Sequence, residues 1–410
     1  MHSLQTDMMP KMNSKVQLTF HRVGERERQY VAEVLDAEFR TSMGSMMTSR
    51  LEACFAELIG TRFAISFING TATLHAALVA GGVQPGDEVI VPPLTMASTT
   101  FAVLHAGAHP VFADVDPATW NIDPESVARH ITDRTRAIVP VALFGLSPDM
   151  VPIMELAAQH ELFVLEDAAE CFLGDYRGKR VGGVGHAASF SFQSSKHLTA
   201  GEGGMITTSD PDLADRIRRF GSLGYASVGR SRGKITKETI QDPAYHRHSM
   251  VGWNYRMPEL CAAVALAQVE RAAELVAARV RAATMFQEVV GDCSWLTPQF
   301  VPEGHGHTYW TYAVRLINDG SFSWYDFRRE YVKRAGHGVY AAWQLTYLEP
   351  FLRGQRGGTS HAGQRYDVGL CPVAEAVQPT LLQFPTNFFD SEEAERSAAA
   401  LGATIAHFGR

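Results

Sequence analysis

Residues 189–204 read SFSFQSSKHLTAGEGG, and how that stretch is read decides the fold. Ser189, Phe190, Ser191 and Phe192 alternate small polar with aromatic side chains, the period-two pattern of a strand. The strand runs into a polar loop with one lysine, Lys196, followed by glycines at Gly201, Gly203 and Gly204. A lysine at the end of a buried strand, among small and hydroxylic residues, is placed to lose its proton. The neutral amine can then form a Schiff base with a carbonyl. Taken alone, the stretch reads first as a surface lysine at a strand end, so its neighbours matter.

Working outward, short apolar runs alternate with helix-period segments. Strands are expected at 63–67, 88–91, 110–115, 137–144, 162–165, 187–192 and 205–208. Helices are expected at 71–79, 95–106, 123–131 (capped by Asp123), 149–160 and 210–219. Residues 171–186 carry the turn signals of a hairpin-like detour. The alternation specifies βαβ crossovers and a mainly parallel sheet of the seven-stranded type. In such sheets ligands gather at the carboxyl ends of the strands. Helices at 22–40 and 49–58 precede it, after an arm at 1–20. Residues 226–250 form a long polar loop, in which Arg230, Arg232 and Lys234 are candidates to grip an acidic or nucleotide-like group; a solvated loop is the equal alternative. A long Ala-rich helix from Pro258 to about Arg281 links the domains. Beyond it a strand at 308–316, a helix at 324–334, a strand at 338–342 and a last helix from 391 make a smaller α+β C-terminal domain. The expected domains are therefore an arm and helix (1–48), a large α/β domain (49–257), a linking helix (258–290) and a small domain (291–410).

Composition excludes several classes of function. With 410 residues, 46% hydrophobic, 20% charged and a net charge of −7, the chain is globular and carries no electrostatic footprint for nucleic acid or a polybasic membrane patch. No apolar run approaches membrane-spanning length, and the Met-rich start lacks the apolar core of a signal peptide. Five scattered cysteines with no CxxC indicate reduced thiols and a cytoplasmic protein, and no zinc site. His246 and His248 have no nearby Cys partner, so no metal is expected there. The segment GVGHAA at 183–188 imitates a dinucleotide fingerprint but precedes a strand instead of following one.

Three strand ends read as one site. Asn69-Gly70-Thr71 lies between a strand and a helix, where glycine allows close backbone approach and the helix start offers N–H groups to a phosphate. Asp167 ends a buried strand, where a carboxylate is costly unless paired; it suits the protonated ring nitrogen of a pyridine. Lys196 supplies the amine, and Ser191 a further phosphate donor. Each has a plain structural alternative, an N-cap or a surface lysine. In this order on alternating elements, the set points to a pyridoxal 5′-phosphate (PLP) enzyme of the aspartate-aminotransferase fold type, fold type I.

At NGTATLHAAL, GDEVIVPPLT, GAHPVFADVD, EDAAE, SFSFQSSKHLTAGEGG and VGWNYRMPE the sequence resembles the DegT/DnrJ/EryC1/StrS family of PLP-dependent sugar aminotransferases. The matching pieces span roughly residues 50–275. The resemblance implies a homodimer with active sites at the subunit interface. It implies Lys196 as the Schiff-base lysine, Asp167 as the pyridine partner, and Gly70, Thr71 and Ser191 on the phosphate. Asn254 and Arg256 resemble residues that reach the neighbouring subunit's cofactor. The chain departs from the family at Met96, where an aromatic residue usually stacks on the ring, and at Glu170, where Gln or His is common beside the cofactor's phenolic oxygen. Ala142 and Trp310 each stand where a His is frequent. These departures bear more on the substrate than on the cofactor.

The expected reaction is a two-step transamination. An amino acid, glutamate or glutamine, gives its amino group to the cofactor, and a keto sugar, nucleotide-linked or free, or a keto cyclitol receives it. Tyr309, Trp310 and Trp343 are candidates for the sugar pocket, with core packing as the alternative. Three other readings stay open: dehydration of a keto sugar, whose enzymes carry His in place of the lysine, a non-catalytic ligand-binding or regulatory member of the fold, and aldol or retro-aldol chemistry on an amino acid.

Overall fold

The computed structural model describes residues 22–39, 46–226, 228, 238, 241–291, 293–317, 320–335, 338–353, 365–388 and 390–409. The expected arm and the candidates Arg230, Arg232 and Lys234 lie outside the described residues. Two helices, α1 (Glu25–Asp36) and α2 (Met47–Ile59), precede the sheet. The large domain then runs β1 (Phe63–Phe67), α3 (Gly70–Ala80), β2 (Glu88–Val91), α4 (Ser98–His105), β3 (His109–Phe112), α5 (Pro124–His130), β4 (Thr135–Ile138), α6 (Met150–His160) and β5 (Phe163–Asp167). The short strands β6 (Asp175–Tyr176) and β7 (Lys179–Arg180) form the detour, and β8 (Ala187–Ser191), β9 (Gly204–Thr208) and α7 (Pro211–Phe220) complete the domain.

Seven of these strands form one sheet in the order β1-β9-β8-β5-β4-β2-β3. Pairs β2–β3, β2–β4, β4–β5 and β5–β8 are parallel. β9 is antiparallel to both β8 and β1, so every other strand shares one direction. A parallel return needs a crossover of a dozen or more residues, usually helical. The twelve residues 192–203 between β8 and β9 form the lysine loop and hold no helix, so β9 turns back beside its predecessor. The carboxyl ends of β1, β5 and β8 therefore lie on the same edge of the sheet.

The SFSF alternation divides the two faces of β8. Ser189 Oγ lies 2.6 Å from Thr73 Oγ1 on α3. Phe190, with Phe192 and Phe172, packs edge-on or tilted around Phe55 of α2, with ring centroids 5.0–6.2 Å from it. The expected strand at 137–144 ends at Ile138, and Leu143–Gly145 is a 3-10 turn with Phe144 at φ 60°. The apolar run continues past the strand because this turn is buried beneath the small domain: a Cβ on Gly145 (φ 107°) would lie 2.6 Å from the Tyr309 nitrogen.

The linking helix is two helices, α8 (Glu259–Glu270) and α9 (Ala272–Val290), broken at Arg271. α8 packs on α1 and α2. At the break Arg271 pairs with buried Glu27 of α1 at 3.3 Å. α9 packs against the small domain. That domain holds β10 (Leu296–Pro298), β11 (His305–Gly306), β12 (Thr311–Leu316), α10 (Trp324–Ala335), β13 (Tyr340–Ala341), α11 (Pro372–Val377), β14 (Leu381–Pro385) and α12 (Ser391–Phe408). Its four-stranded sheet has the order β10-β12-β14-β13, while β11 pairs back onto β6 of the detour. The architecture is the expected α/β fold with a smaller α+β domain. Among the described residues no helix is long and apolar enough to cross a membrane.

Candidate active site

The first strand end meets the sheet edge at the start of α3. Asn69 caps the helix, its Oδ1 accepting from the Ala72 N–H at 2.8 Å. As the first two helical residues, Gly70 and Thr71 carry N–H groups that no turn of the helix can take up. A Cβ on Gly70 would stand 2.9 Å from Ser191 Cβ, so glycine lets the helix start lie against β8. Gly70, Thr71 and Ser191 thus line one corner of a cavity of about 640 Å³. Gly70→Ala should force that corner apart. The expected result is about tenfold weaker binding of a phosphate-bearing ligand in that corner, read by a titration.

The second strand end is Asp167. Its Oδ2 accepts from Thr99 Oγ1 at 2.8 Å, and its Oδ1 from the Ala169 N–H at 3.3 Å. The carboxyl group is buried and lines the cavity. Burial raises its pKa, against the lowering influence of Thr99, Ala169 and the Lys196 charge. A desolvated carboxylate with two neutral donors favours a cation across the cavity.

The third is Lys196. Its Nζ donates to Glu170 Oε1 at 3.1 Å and sits 4.6 Å from the centroid of the Trp310 ring. Glu170 Oε2 accepts from the Phe144 N–H at 3.1 Å. Burial raises the Glu170 pKa, opposed chiefly by Lys196. The lysine loop is held from behind by Arg279 of α9, which is 4% exposed. Its guanidinium donates to the main-chain oxygens of Ser195 at 2.7 Å, Lys196 at 2.8 Å and Trp310 at 2.8 Å. Desolvation lowers the Arg279 pKa to about 9. Arg22 also donates to the Ser194 and Lys196 carbonyls. Arg279 had no part in the sequence reading. Its one signal was a charged residue at helical spacing among the buried Val276, Ala282, Ala283 and Phe286 of α9.

The open side of the cavity belongs to the small domain. Trp310 and Trp343 stack with centroids 5.6 Å apart and planes 19° apart, and Phe144 continues the stack beyond Trp343. Tyr340, Gln383 and Asn387 line the same wall, none of them singled out by sequence. Met96 lines the rim and is 48% exposed. The expected pocket role of Tyr309 needs correction: its backbone has φ 49°, its ring stacks on His307 at 3.8 Å, and it lines a separate cavity of about 390 Å³. Asn254 and Arg256 are exposed and lie away from the Lys196 cavity of their own chain. No metal-binding cluster of His, Cys, Asp or Glu occurs among the described residues.

The chain is similar to several known proteins. The chain is 41% identical over 303 residues to GDP-perosamine synthase of Caulobacter vibrioides, covering 74% of this chain and 77% of that protein. It is 38% identical over 282 residues to a putative L-glutamine:3-amino-2,3-dideoxy-scyllo-inosose aminotransferase of Streptoalloteichus tenebrarius, covering 68% of this chain and 64% of that protein. The X-ray structure of the aminotransferase from Psychrobacter cryohalolentis superposes with a TM-score of 0.84 at 30% identity, over 95% of this chain and 100% of that one. The profile of one family matches from residue 21 to residue 399, and the chain belongs to that family, the DegT/DnrJ/EryC1/StrS aminotransferases.

Proposed function

We propose that this aminotransferase uses PLP to move an amino group from L-glutamate or L-glutamine to a keto sugar, nucleotide-linked or free, or a keto cyclitol, in amino-sugar biosynthesis. The observation that carries the reading is the meeting of Lys196, Asp167 and the Gly70–Thr71 helix start in one cavity. The residues present fit PLP: a helix start with untaken N–H groups and a hydroxyl at Ser191 suits its phosphate, a buried carboxylate suits its ring nitrogen, and an amine suits its carbonyl. When bound, PLP supplies that carbonyl and the electron sink that acidifies the amino-acid Cα.

The chain's own groups do the rest. Asp167 holds a proton on the ring nitrogen. Lys196 Nζ, once free, takes a proton from the substrate carbon and returns it one position away. Met96, at the cavity rim, would offer the cofactor ring a soft, polarisable thioether. The Trp310–Trp343 wall excludes water from one side and offers apolar faces to the ring of a sugar or cyclitol, while the amides of Gln383 and Asn387 offer hydrogen bonds to its hydroxyls. Two of the proteins named above are, by their names, a synthase of GDP-perosamine and an aminotransferase of a scyllo-inosose, which supports this substrate class.

A homodimer goes with the reading. Ile68, Met96, Leu104, Val251 and Trp253 are exposed apolar side chains, and close contacts tie Ile68 and Trp253 to the helix that carries His105. The Ile68 N–H donates to the Tyr255 carbonyl at 2.8 Å, Trp253 stacks on Tyr255, and His75 bridges Trp253 to His105. Exposed apolar side chains of this kind suit an interaction surface, and the reading gives Asn254 and Arg256, exposed beside Trp253, the role of reaching a second copy's site. Trp253→Glu should shift the protein toward monomer in analytical ultracentrifugation and lower activity with it. A cytoplasmic location suits the five free cysteines.

The test of the function is spectroscopic. Added PLP should give the protein a visible absorption band. L-Glutamate or L-glutamine should then discharge that band and release one keto acid per site. A panel of nucleotide-linked keto sugars, free keto sugars and keto cyclitols should restore it with one member. Failure of every amino acid to discharge the band would rule out transamination.

A further inference from the structure

The contact between Lys196 and Glu170 goes beyond cofactor binding. Both side chains are largely buried, at 12% and 6% exposure, with Nζ 3.1 Å from Oε1. Such a pair is a poor device for stability, because desolvating both charges offsets most of their attraction. An apolar pair of the same volume would hold the fold as well. The other charged groups nearby have different partners. Asp167 is held by Thr99 and Ala169. The Arg279 guanidinium also lines the cavity and feels the Glu170 charge, but its hydrogen bonds go to main-chain oxygens. Cys171 is a thiol pushed up to about 12 by burial, and His197 is kept neutral by burial and by Arg279. Glu170 is thus the carboxylate in hydrogen-bond contact with Nζ, and its second oxygen is fixed by the Phe144 N–H.

We propose that Glu170 is a catalytic residue that exchanges a proton with Nζ of Lys196, an inference that rests on the assignment of Lys196 as the reacting amine. The ammonium gives one proton to Oε1. An N–H bond breaks, an O–H bond forms, and a buried ion pair becomes a neutral amine beside a neutral carboxyl group. No oxidant or further reactant is needed. Burial pushes the Glu170 carboxyl toward its neutral form, against the pull of the Lys196 charge, and the 3.1 Å contact gives the proton a direct path. The amine lone pair is then free to attack a carbonyl carbon or accept a proton from carbon. The face of Trp310, 4.6 Å from Nζ, steadies the ammonium when the proton returns.

The test compares the pH titration of the visible band in PLP-loaded wild type, Glu170→Gln and Glu170→Asp. A carboxylate beside Nζ favours its protonated form. The Gln variant should therefore lower the band's midpoint by about 1 pH unit or more, with a smaller drop for Asp, which keeps the charge but sits one methylene farther back. Single-turnover conversion with L-glutamate should slow about a hundredfold in the Gln variant with little change in its half-saturating concentration. A midpoint unchanged in both variants overturns the proposal, and so does an unchanged midpoint in the Asp variant should the Gln variant fail to fold. Absence of any band in wild type would instead overturn the cofactor assignment, so the two failures are distinguishable.

Discussion

Lys196→Ala protein mixed with PLP is expected to show no protein-linked visible band and about ten-thousand-fold less transamination than wild type. The lysine is asked to do two things with one atom: bind the cofactor carbonyl and carry the proton between carbons. Alanine removes both. The fold should survive, because Lys196 contributes no core packing and its loop is held through main-chain oxygens by Arg279 and Arg22. Unchanged circular dichroism would confirm that the variant is folded. Added methylamine should restore part of the rate, since a small free amine can enter the space left beside Glu170 and the Trp310 face. Lys196→Arg should not restore it, because guanidinium stays protonated and is no nucleophile. A variant that kept the wild-type band would show that another amine is the reacting one.

Asp167→Asn is expected to leave the band in place and to slow conversion by L-glutamate by about a hundred- to a thousandfold. Asparagine is close to isosteric and can still accept from Thr99 Oγ1, so the local structure should persist. What it lacks is the negative charge facing the cavity from a desolvated position, where electrostatic partners count for more than in water. The loss should appear in the rate and hardly in the concentration of amino acid at half-saturation, because the charge acts on electron withdrawal and not on the donor. Glutamate in place of Asp167 should rescue poorly: the extra methylene has to fit where Asp167 is 5% exposed. An Asn variant with wild-type rates would remove Asp167 from the cofactor assignment.

The wider site was partly legible in sequence. Gly70, Thr71, Asp167, Ser191 and Lys196 all sit at the ends of strands whose pattern is local, and strand-end position alone brings them to one edge of a parallel sheet. Met96 was legible only through the family resemblance, as the position where an aromatic residue usually stands. Arg279, Tyr340, Gln383 and Asn387 were not, because they come from the linking helix and the small domain, more than 80 residues beyond Lys196. Their arrival depends on how α9 and β14 dock, which no local period records. The break at Arg271 was hidden too: Ala-rich sequence continues across it, and the interruption is set by the turn from packing on α2 to packing on the small domain.

What the sequence by itself determined is the alternation of strands and helices through residue 208, the edge on which ligands collect, and the chemistry of the lysine loop. These follow from side-chain periods of 2.0 and 3.6 and from the start of α3, interactions that reach only a few residues. Tertiary structure decided which way β9 runs, what faces Lys196, and which aromatic residues form the wall. Tyr309 and Trp310 make the point. They are adjacent and aromatic, and both were candidates. The left-handed turn at Tyr309 sends its ring onto His307 and leaves Trp310 over the lysine. That turn is held by Gly145 and Thr386, whose carbonyl and hydroxyl oxygens bond to the main chain on either side of it. Partners 160 and more residues upstream and dozens downstream choose between neighbours because only close packing, not sequence period, can distinguish two apolar rings.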